Sequence, residues 1–169
     1  MLFQYGSNMN PKRLNSGDRL DGAAEVIGAA RLKDWGIRFD LYGVLAQGGV
    51  TDIVRSANEH VEGVLYKVPY RFVVAPRGER SAMDRIEGAG LGKDSNYKRL
   101  KVSVRKDGKK IEARTYVGMV AGRERFLRRS VEDRRVSKAY FKHILAGARR
   151  FHLSKRYIAY LQRQAGFRL

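Results

Sequence analysis

The pattern of apolar and polar positions divides the chain into a first part of strands and a final part of helices. Residues 97–105 and 110–117 alternate between apolar and polar side chains around Lys106-Asp107-Gly108. Asp-Gly between two such runs predicts a β-hairpin. Apolar and β-branched runs predict the remaining strands, which we place at 2–5, 51–56 and 61–68 and as two short strands within 23–42.

Start and stop signals place the helices. Asn10 and Pro11 suit the capping position and the first position of a helix. Residues 80–88 predict a short helix that ends at a glycine. Ser137 and Ser154 each precede apolar residues at helical spacing, so each is expected to cap a helix.

The order of these elements indicates the fold class. Residues 118–136 are basic and irregular, and we expect one helical turn there. Strands followed by helices indicate an α+β fold with a curved or closed antiparallel sheet. A length of 169 residues suits one domain that spans 1–169.

Composition excludes several kinds of chemistry. The chain has no cysteine, which excludes disulfides, thiolate metal sites and a cysteine nucleophile. It contains no secretory leader pattern and no run of 18 apolar residues, so we expect a cytoplasmic protein. The net charge of +18 is unusual, and more than half of the excess lies in residues 123–169. Such an excess can bind polyanions or simply keep a protein in solution.

Two segments are candidates for catalytic chemistry. Gly6-Ser7-Asn8 directly after an apolar run predicts a turn whose backbone N–H groups point in one direction, as in anion sites. Glu87 comes in the last turn of the predicted helix 80–88, where the helix dipole disfavours a negative charge. If Glu87 is also buried, its pKa rises toward neutral pH and suits a general acid/base. The alternative is an exposed carboxylate paired with Arg80 or Lys93.

Other candidate sites fit the sequence poorly. Residues 88–93, GAGLGK, lack the first glycine and the final Ser or Thr of a phosphate-binding loop. The three histidines are scattered, and no pair has the spacing of a helical zinc site.

Asp84 is the nearest rival carboxylate to Glu87, and we interpret it as structural or as a helix-surface acid. Tyr97 and the pair Thr115-Tyr116 lie on predicted strands. Their side chains either line a pocket or are ordinary half-buried residues of the sheet.

The ordered set of these motifs resembles the γ-glutamylcyclotransferase superfamily along nearly the whole chain. Its N-terminal loop is similar to residues 5–8, its central strand pair to 52–54 and 62–66, and its catalytic helix to 84–88. Tyr97 and Thr115-Tyr116 resemble the hairpin that follows, and residues 137–147 resemble the C-terminal helix.

The resemblance implies a small mixed or antiparallel β-barrel flanked by helices, with a pocket at one mouth. It also implies cleavage of a γ-glutamyl amide by its own α-amino group, which releases 5-oxoproline and an amine or amino acid, as an amide-cleaving acyltransferase or lyase. Glu87 would be the general acid/base, and no metal or cofactor would be required. The substrate would be bound by residues of the N-terminal loop and by two further tyrosines: Tyr5, Gly6, Ser7, Asn8, Tyr97 and Tyr140.

The alternative is a non-catalytic binding module on the same fold. Cations near the C-terminus alternate with aromatic residues and would contact nucleic acid or another polyanion weakly, unless they form an ordinary solvated helix face. These cations are Arg149-Arg150, Lys155-Arg156 and Arg163. The sequence leaves open the identity of the departing amine and the oligomeric state.

Overall fold

Five strands form one closed barrel in the computed structural model, which describes residues 1–92 and 95–167. The spatial order is β1, β3, β2, β4, β5. Neighbouring strands run antiparallel except β1 and β5, which pair in parallel through Leu2 and Arg114. The strands are β1 Leu2–Gln4, β2 Glu25–Gly43, β3 Gly48–Lys67, β4 Tyr97–Lys106 and β5 Lys109–Gly118. The predicted α+β fold with a closed sheet is therefore confirmed.

The strands β2 and β3 are longer than the sequence predicts. The runs that we divided into two short strands each are continuous strands of 19 and 20 residues. Their register shifts at three places along β2, including Val26/Gly28 and Lys33/Trp35. Gly28, Asp34 and Asn58 have positive φ, so the residues that read as interruptions are bulges inside the strands. These bulges let one long hairpin bend around the barrel.

The hairpin β4–β5 agrees with the prediction. Its strands pair in continuous register from Tyr97↔Gly118 to Lys106↔Lys109. Asp107 and Gly108 both have positive φ, at 48° and 76°, as a two-residue type I′ turn requires.

Six α-helices flank the barrel in the described part of the chain. They are α1 Pro11–Leu14, α2 Tyr70–Val73, α3 Ala82–Ile86, α4 Val120–Leu127, α5 Lys138–Arg150 and α6 Lys155–Gln164. Asn10, Ser137 and Ser154 cap α1, α5 and α6 through their side chains, as expected. The helix α4 is longer than the single turn predicted within 118–136, and α2 was not predicted. The segment 89–96 between α3 and β4 is described except for Lys93 and Asp94.

A buried ion cluster fixes α4 to the barrel. Asp52 on β3 is fully buried and accepts hydrogen bonds from the Gly118 backbone N–H and from Arg123 on α4. Asp40 on β2 lies against the same group, with its Oδ2 3.6 Å from Arg123 Nε. Burial and the neighbouring charge of Asp52 raise the pKa of Asp40 to about 6. Three elements therefore meet at two carboxylates and one guanidinium.

The helix α5 packs on the chain segment that follows β1. Gly147 makes this possible, because a Cβ there would lie 2.6 Å from Met9 Cβ. Met9 and Ile144 are fully buried at this contact. None of the helices in the described ranges has the length and apolar character needed to cross a membrane.

Candidate active site

The segment after β1 forms a short 3₁₀ turn, Ser7–Met9, preceded by Gly6. Gly6 lies so close to β3 that a Cβ would overlap Thr51 Oγ1, so a larger residue would push the turn away from the barrel. The first N–H groups of such a turn have no carbonyl partner within it. These N–H groups are therefore candidates for binding an anion.

The short helix α3 places Glu87. Ser81 and Asp84 form a capping box at its start, in which each side chain binds the other residue's backbone N–H. Glu87 is the C-cap residue, and Gly88 follows it with φ +68°. The five-residue helix is thus fixed at both ends, which leaves the Glu87 side chain little freedom of position.

Asp84 has a structural environment that separates it from Glu87. Its carboxylate accepts a hydrogen bond from the Tyr116 hydroxyl at 2.8 Å and forms an ion pair with Arg99 at 3.1 Å. Together with the capping box, these contacts occupy both carboxylate oxygens. Asp84 is buried and serves to hold α3 against β4 and β5.

Glu87 is joined to the N-terminal turn by the side chain of Asn8. Asn8 Nδ2 donates to Glu87 Oε1 at 2.8 Å, and Arg19 Nη1 donates to Asn8 Oδ1 at 3.1 Å. The structure therefore brings the predicted acid/base and the predicted turn into direct contact. The alternative partner Arg80 instead donates to the Asp84 carbonyl, and Lys93 lies outside the described residues.

Burial raises the pKa of Glu87 above its ordinary value. Hydrogen bonds from Asn8 and Gln4 and the positive charges of Arg19 and Arg13 act in the opposite direction. The residue as a whole is half-buried, but its carboxyl group faces the cleft rather than open solvent. A carboxyl group whose pKa is raised in this way is better suited to accept a proton and return it than an exposed one.

Tyrosine rings form the walls of the cleft. The Tyr5 hydroxyl donates to the Tyr116 carbonyl at 2.6 Å, and the Tyr97 hydroxyl donates to the Thr51 carbonyl. The Tyr140 hydroxyl lies 2.9 Å from Thr51 Oγ1. Burial raises the pKa of all three phenols, so they stay neutral. Their oxygen atoms retain acceptor capacity toward a bound ligand.

The cleft has an inner recess and an outer chamber. The inner recess, about 40 Å³, is lined by Gln4, by residues 5–8, and by Thr51, Glu87, Tyr97, Tyr116 and Tyr140. The outer chamber, about 280 Å³, shares Glu87 and Asn8 with the recess and opens past Arg13 and Arg19. Glu87 lies at the boundary between the two spaces. Among the described residues that line the inner recess, it is the one with an acidic side chain.

The structure brings all seven predicted site residues to this cleft. Sequence reasoning missed Gln4, Thr51, Arg13 and Arg19 as lining residues. Gln4 adjoins the predicted turn, whereas no local signal points to Arg19 or Thr51. Among residues 1–92 and 95–167, no group of three or more His, Cys, Asp or Glu side chains forms a candidate metal site.

The basic C-terminal region has exposed cations, whereas most of the aromatic residues described between them pack inward. Arg149, Arg150 and Lys155 are exposed. Tyr157 is buried in the hydrophobic core, and the half-buried Phe151 packs against the same core. The aromatic residues that alternate with these cations in the sequence therefore pack inward for the most part.

Comparisons with known proteins agree with this architecture. The model of the AIG2-like family matches residues 60–161, which contain Glu87, Tyr97 and Tyr140 but not the N-terminal turn. A solved structure named gamma-glutamyl cyclotransferase has 24% identity and a TM-score of 0.74, with 95% of this chain and 85% of that chain covered.

Two further solved structures have the same fold. An uncharacterized protein from Homo sapiens has 26% identity and a TM-score of 0.73, over 95% of this chain and 85% of its own. YkqA from Bacillus subtilis has 23% identity and a TM-score of 0.73, over 98% of this chain and 53% of its own. No curated protein sequence matches the chain.

Proposed function

Because this chain belongs to the AIG2-like family, we propose that it is a cyclotransferase that cleaves γ-glutamyl amides and releases 5-oxoproline. One observation carries the proposal: the Glu87 carboxyl group lies in a tyrosine-walled cleft, hydrogen-bonded to Asn8 of the N-terminal turn. The structural neighbour named gamma-glutamyl cyclotransferase supports the same type of reaction.

The proposed reaction needs a group that moves protons between two nitrogen atoms. The α-nitrogen of the substrate attacks the γ-carbonyl carbon, the new C–N bond closes a five-membered ring, and the original amide C–N bond breaks. Between ammonium and lactam the α-nitrogen loses two protons, and the departing nitrogen gains two as it becomes an ammonium. Glu87 would take each proton and return it, so the carboxyl group ends unchanged.

The surroundings of Glu87 suit the other requirements of this reaction. The turn Ser7–Met9 offers backbone N–H groups for the substrate carboxylate or for the oxyanion that forms at the γ-carbonyl. The phenol oxygens of Tyr5 and Tyr97 can accept hydrogen bonds from the substrate ammonium. Holding the substrate curled favours intramolecular attack, which is worth several kcal/mol.

The proposal is tested by incubating the purified protein with γ-glutamylalanine and measuring 5-oxoproline by mass spectrometry. We expect Glu87→Gln to lower kcat by at least about a hundredfold, because the amide cannot transfer protons. The raised pKa of Glu87 means that folding makes the charged carboxylate less favourable than it is in the unfolded chain. The free energy of unfolding of Glu87→Gln should therefore equal or exceed that of the wild type.

Glu112→Gln is the matched control, since Glu112 is an exposed carboxylate on β5. It should retain full activity. Full activity in Glu87→Gln, or no 5-oxoproline from the wild type with any γ-glutamyl amide, would contradict the proposal.

A cytoplasmic location and weak polyanion binding stay predictions.

A further inference from the structure

Three arginines surround the outer chamber: Arg13, Arg19 and Arg85. Among the described residues that line the chamber, Glu87 is the one acidic residue. It also lines the inner recess, so it lies at the boundary between the two spaces. The exposed carboxylate of Asp18 lies nearby and is bonded to Ser16. The chamber wall therefore carries three positive charges, two of which act on the carboxyl group of Glu87.

Arg13 and Arg19 both line the chamber wall, and they donate hydrogen bonds to the adjacent residues Ser7 and Asn8. Burial and the positive charge of Arg13 lower the pKa of the half-buried Arg19. Within the described residues, neither guanidinium forms an ion pair with a carboxylate. The negative charges of Glu87 and Asp18 offset part of the cost of burying the charge of Arg19. An anion bound between the two guanidinium groups would offset more of it.

The two guanidinium groups retain hydrogen-bond donors for such an anion. Arg13 Nε donates to Ser7 Oγ at 3.3 Å, and Arg19 Nη1 donates to Asn8 Oδ1 at 3.1 Å. Each guanidinium group has five N–H donors. Each of these two contacts uses one donor, so the other donors of both groups are available to a bound anion. The contacts also fix both groups against the N-terminal turn, so they are preorganised to bind a carboxylate.

The position of Glu87 decides which end of a substrate would meet these arginines. The scissile amide must lie beside Glu87, at the boundary between the two spaces. The glutamyl half then enters the inner recess, which contains no arginine, and the departing half extends into the outer chamber. We infer that Arg13 and Arg19 recognise an anionic group on the departing half, so that conjugates of amino acids or peptides are preferred over conjugates of simple amines.

This inference rests on the proposed function, and a pair of matched substrates tests it. γ-Glutamylalanine and γ-glutamylethylamide have the same glutamyl half, but the departing group of the second lacks the carboxylate. We expect the wild type to have a higher kcat/KM for γ-glutamylalanine by about tenfold to a hundredfold. Arg19→Gln should remove most of this preference, and Arg19→Lys should retain part of it because the charge is kept.

The ratio of the two kcat/KM values is the readout, because Arg19 also supports Asn8 and its loss affects both substrates. Lys12→Gln, which removes an exposed charge next to Arg13, should leave the ratio unchanged. Equal losses for both substrates in Arg19→Gln, or a wild type that prefers the ethylamide, would overturn the inference. Activity without preference refutes only the inference, whereas absence of 5-oxoproline from both substrates refutes the proposed function.

Discussion

At the scale of single residues, Asn8 uses both ends of its amide at once. Its carbonyl oxygen accepts from Arg19, which leaves the amide nitrogen to donate to Glu87. Asn8 therefore holds the N-terminal turn in a fixed position relative to the carboxyl group of Glu87, 79 residues further along the chain. Its hydrogen bond also opposes the effect of burial on the pKa of Glu87.

This contact leads to a prediction about pH. The reaction needs ionised Glu87 as base, so kcat/KM should fall as the pH drops through the pKa of Glu87. Asn8→Ala removes a hydrogen bond that lowers this pKa. The acidic limb of the pH profile of kcat/KM should therefore move to higher pH in Asn8→Ala.

Asn10→Ala is the control for this experiment. It removes the side-chain cap of α1, which is worth about 1 kcal/mol, without contacting Glu87. Its stability should fall while the acidic limb stays in place. An acidic limb that moves to lower pH in Asn8→Ala would show that Asn8 does not stabilise the charged carboxylate.

Sequence reasoning identifies Glu87 and the turn at residues 5–8, but not the bonds between them. The turn follows from local chemistry, since Gly6, Ser7 and Asn8 favour turns. The side-chain contacts of Asn8 with Glu87 and Arg19 depend on tertiary packing, and no spacing in the sequence encodes them. For the same reason the roles of Thr51 and Arg13 become visible only in the structure.

At the scale of secondary structure elements, the junction of β2, β3 and α4 contains an unusual charge arrangement. Asp40 and Asp52 share one guanidinium, that of Arg123. Burial and the negative charge of Asp52 raise the pKa of Asp40 to about 6, above the ordinary value of an aspartate. An acid whose pKa is higher in the folded than in the unfolded state favours folding as the pH falls, and it lowers stability at a pH above both values.

We therefore expect Asp40→Asn to increase the free energy of unfolding at pH 8 by about 1 to 3 kcal/mol. The increase should shrink as the pH falls from about 6 toward 4, where Asp40 is already protonated in the folded protein. Chemical denaturation at several pH values measures this difference.

Asp107→Asn provides the comparison at the β4–β5 turn, where the carboxylate is exposed and Asn tolerates the positive φ. Its stability should match that of the wild type at each pH. A gain in Asp40→Asn that is the same at pH 4 and pH 8, or a loss at pH 8, would refute this account of the junction.

Helix ends and the β4–β5 hairpin follow from short sequence signals, whereas the extent of β2 and β3 does not. Gly28 and Asn58 have the residue types of turns, and a single sequence cannot distinguish a turn from a bulge within a strand. Pairing with a neighbouring strand decides between the two. The same limit applies to α4, because Arg123 and its partner Asp52 lie on different elements.

At the scale of the whole molecule, the net charge of +18 is the property that the proposed reaction does not use. Arg149 and Arg150 at the end of α5 and Lys155 at the start of α6 are exposed. Since neighbouring aromatic residues pack inward, a polyanion would contact this region mainly through its charges. Such binding releases counterions and is steeply weakened by salt.

We expect a single-stranded oligonucleotide to bind weakly at 50 mM salt, without sequence preference, and about tenfold or more weaker at 200 mM salt. Fluorescence anisotropy measures both affinities. The double variant Arg149→Glu/Arg150→Glu should weaken binding at low salt, because it reverses two charges of the C-terminal region.

Lys109→Glu/Lys110→Glu makes the same change of charge at the exposed β4–β5 turn. It should weaken binding less than the helix variant. Equal effects of the two variants would rule out a site in the C-terminal region, and strong binding to one sequence at 200 mM salt would contradict a purely electrostatic contact.

The closure of the barrel has a consequence for how the protein acquires activity. The three residues of β1 complete the ring by pairing with β3 on one side and β5 on the other, and the turn with Gly6 and Asn8 continues directly from them. A chain released from the ribosome only as far as β4 would thus lack one of the two neighbours of β1. Turnover should appear late in refolding, together with the last protected amides of the sheet.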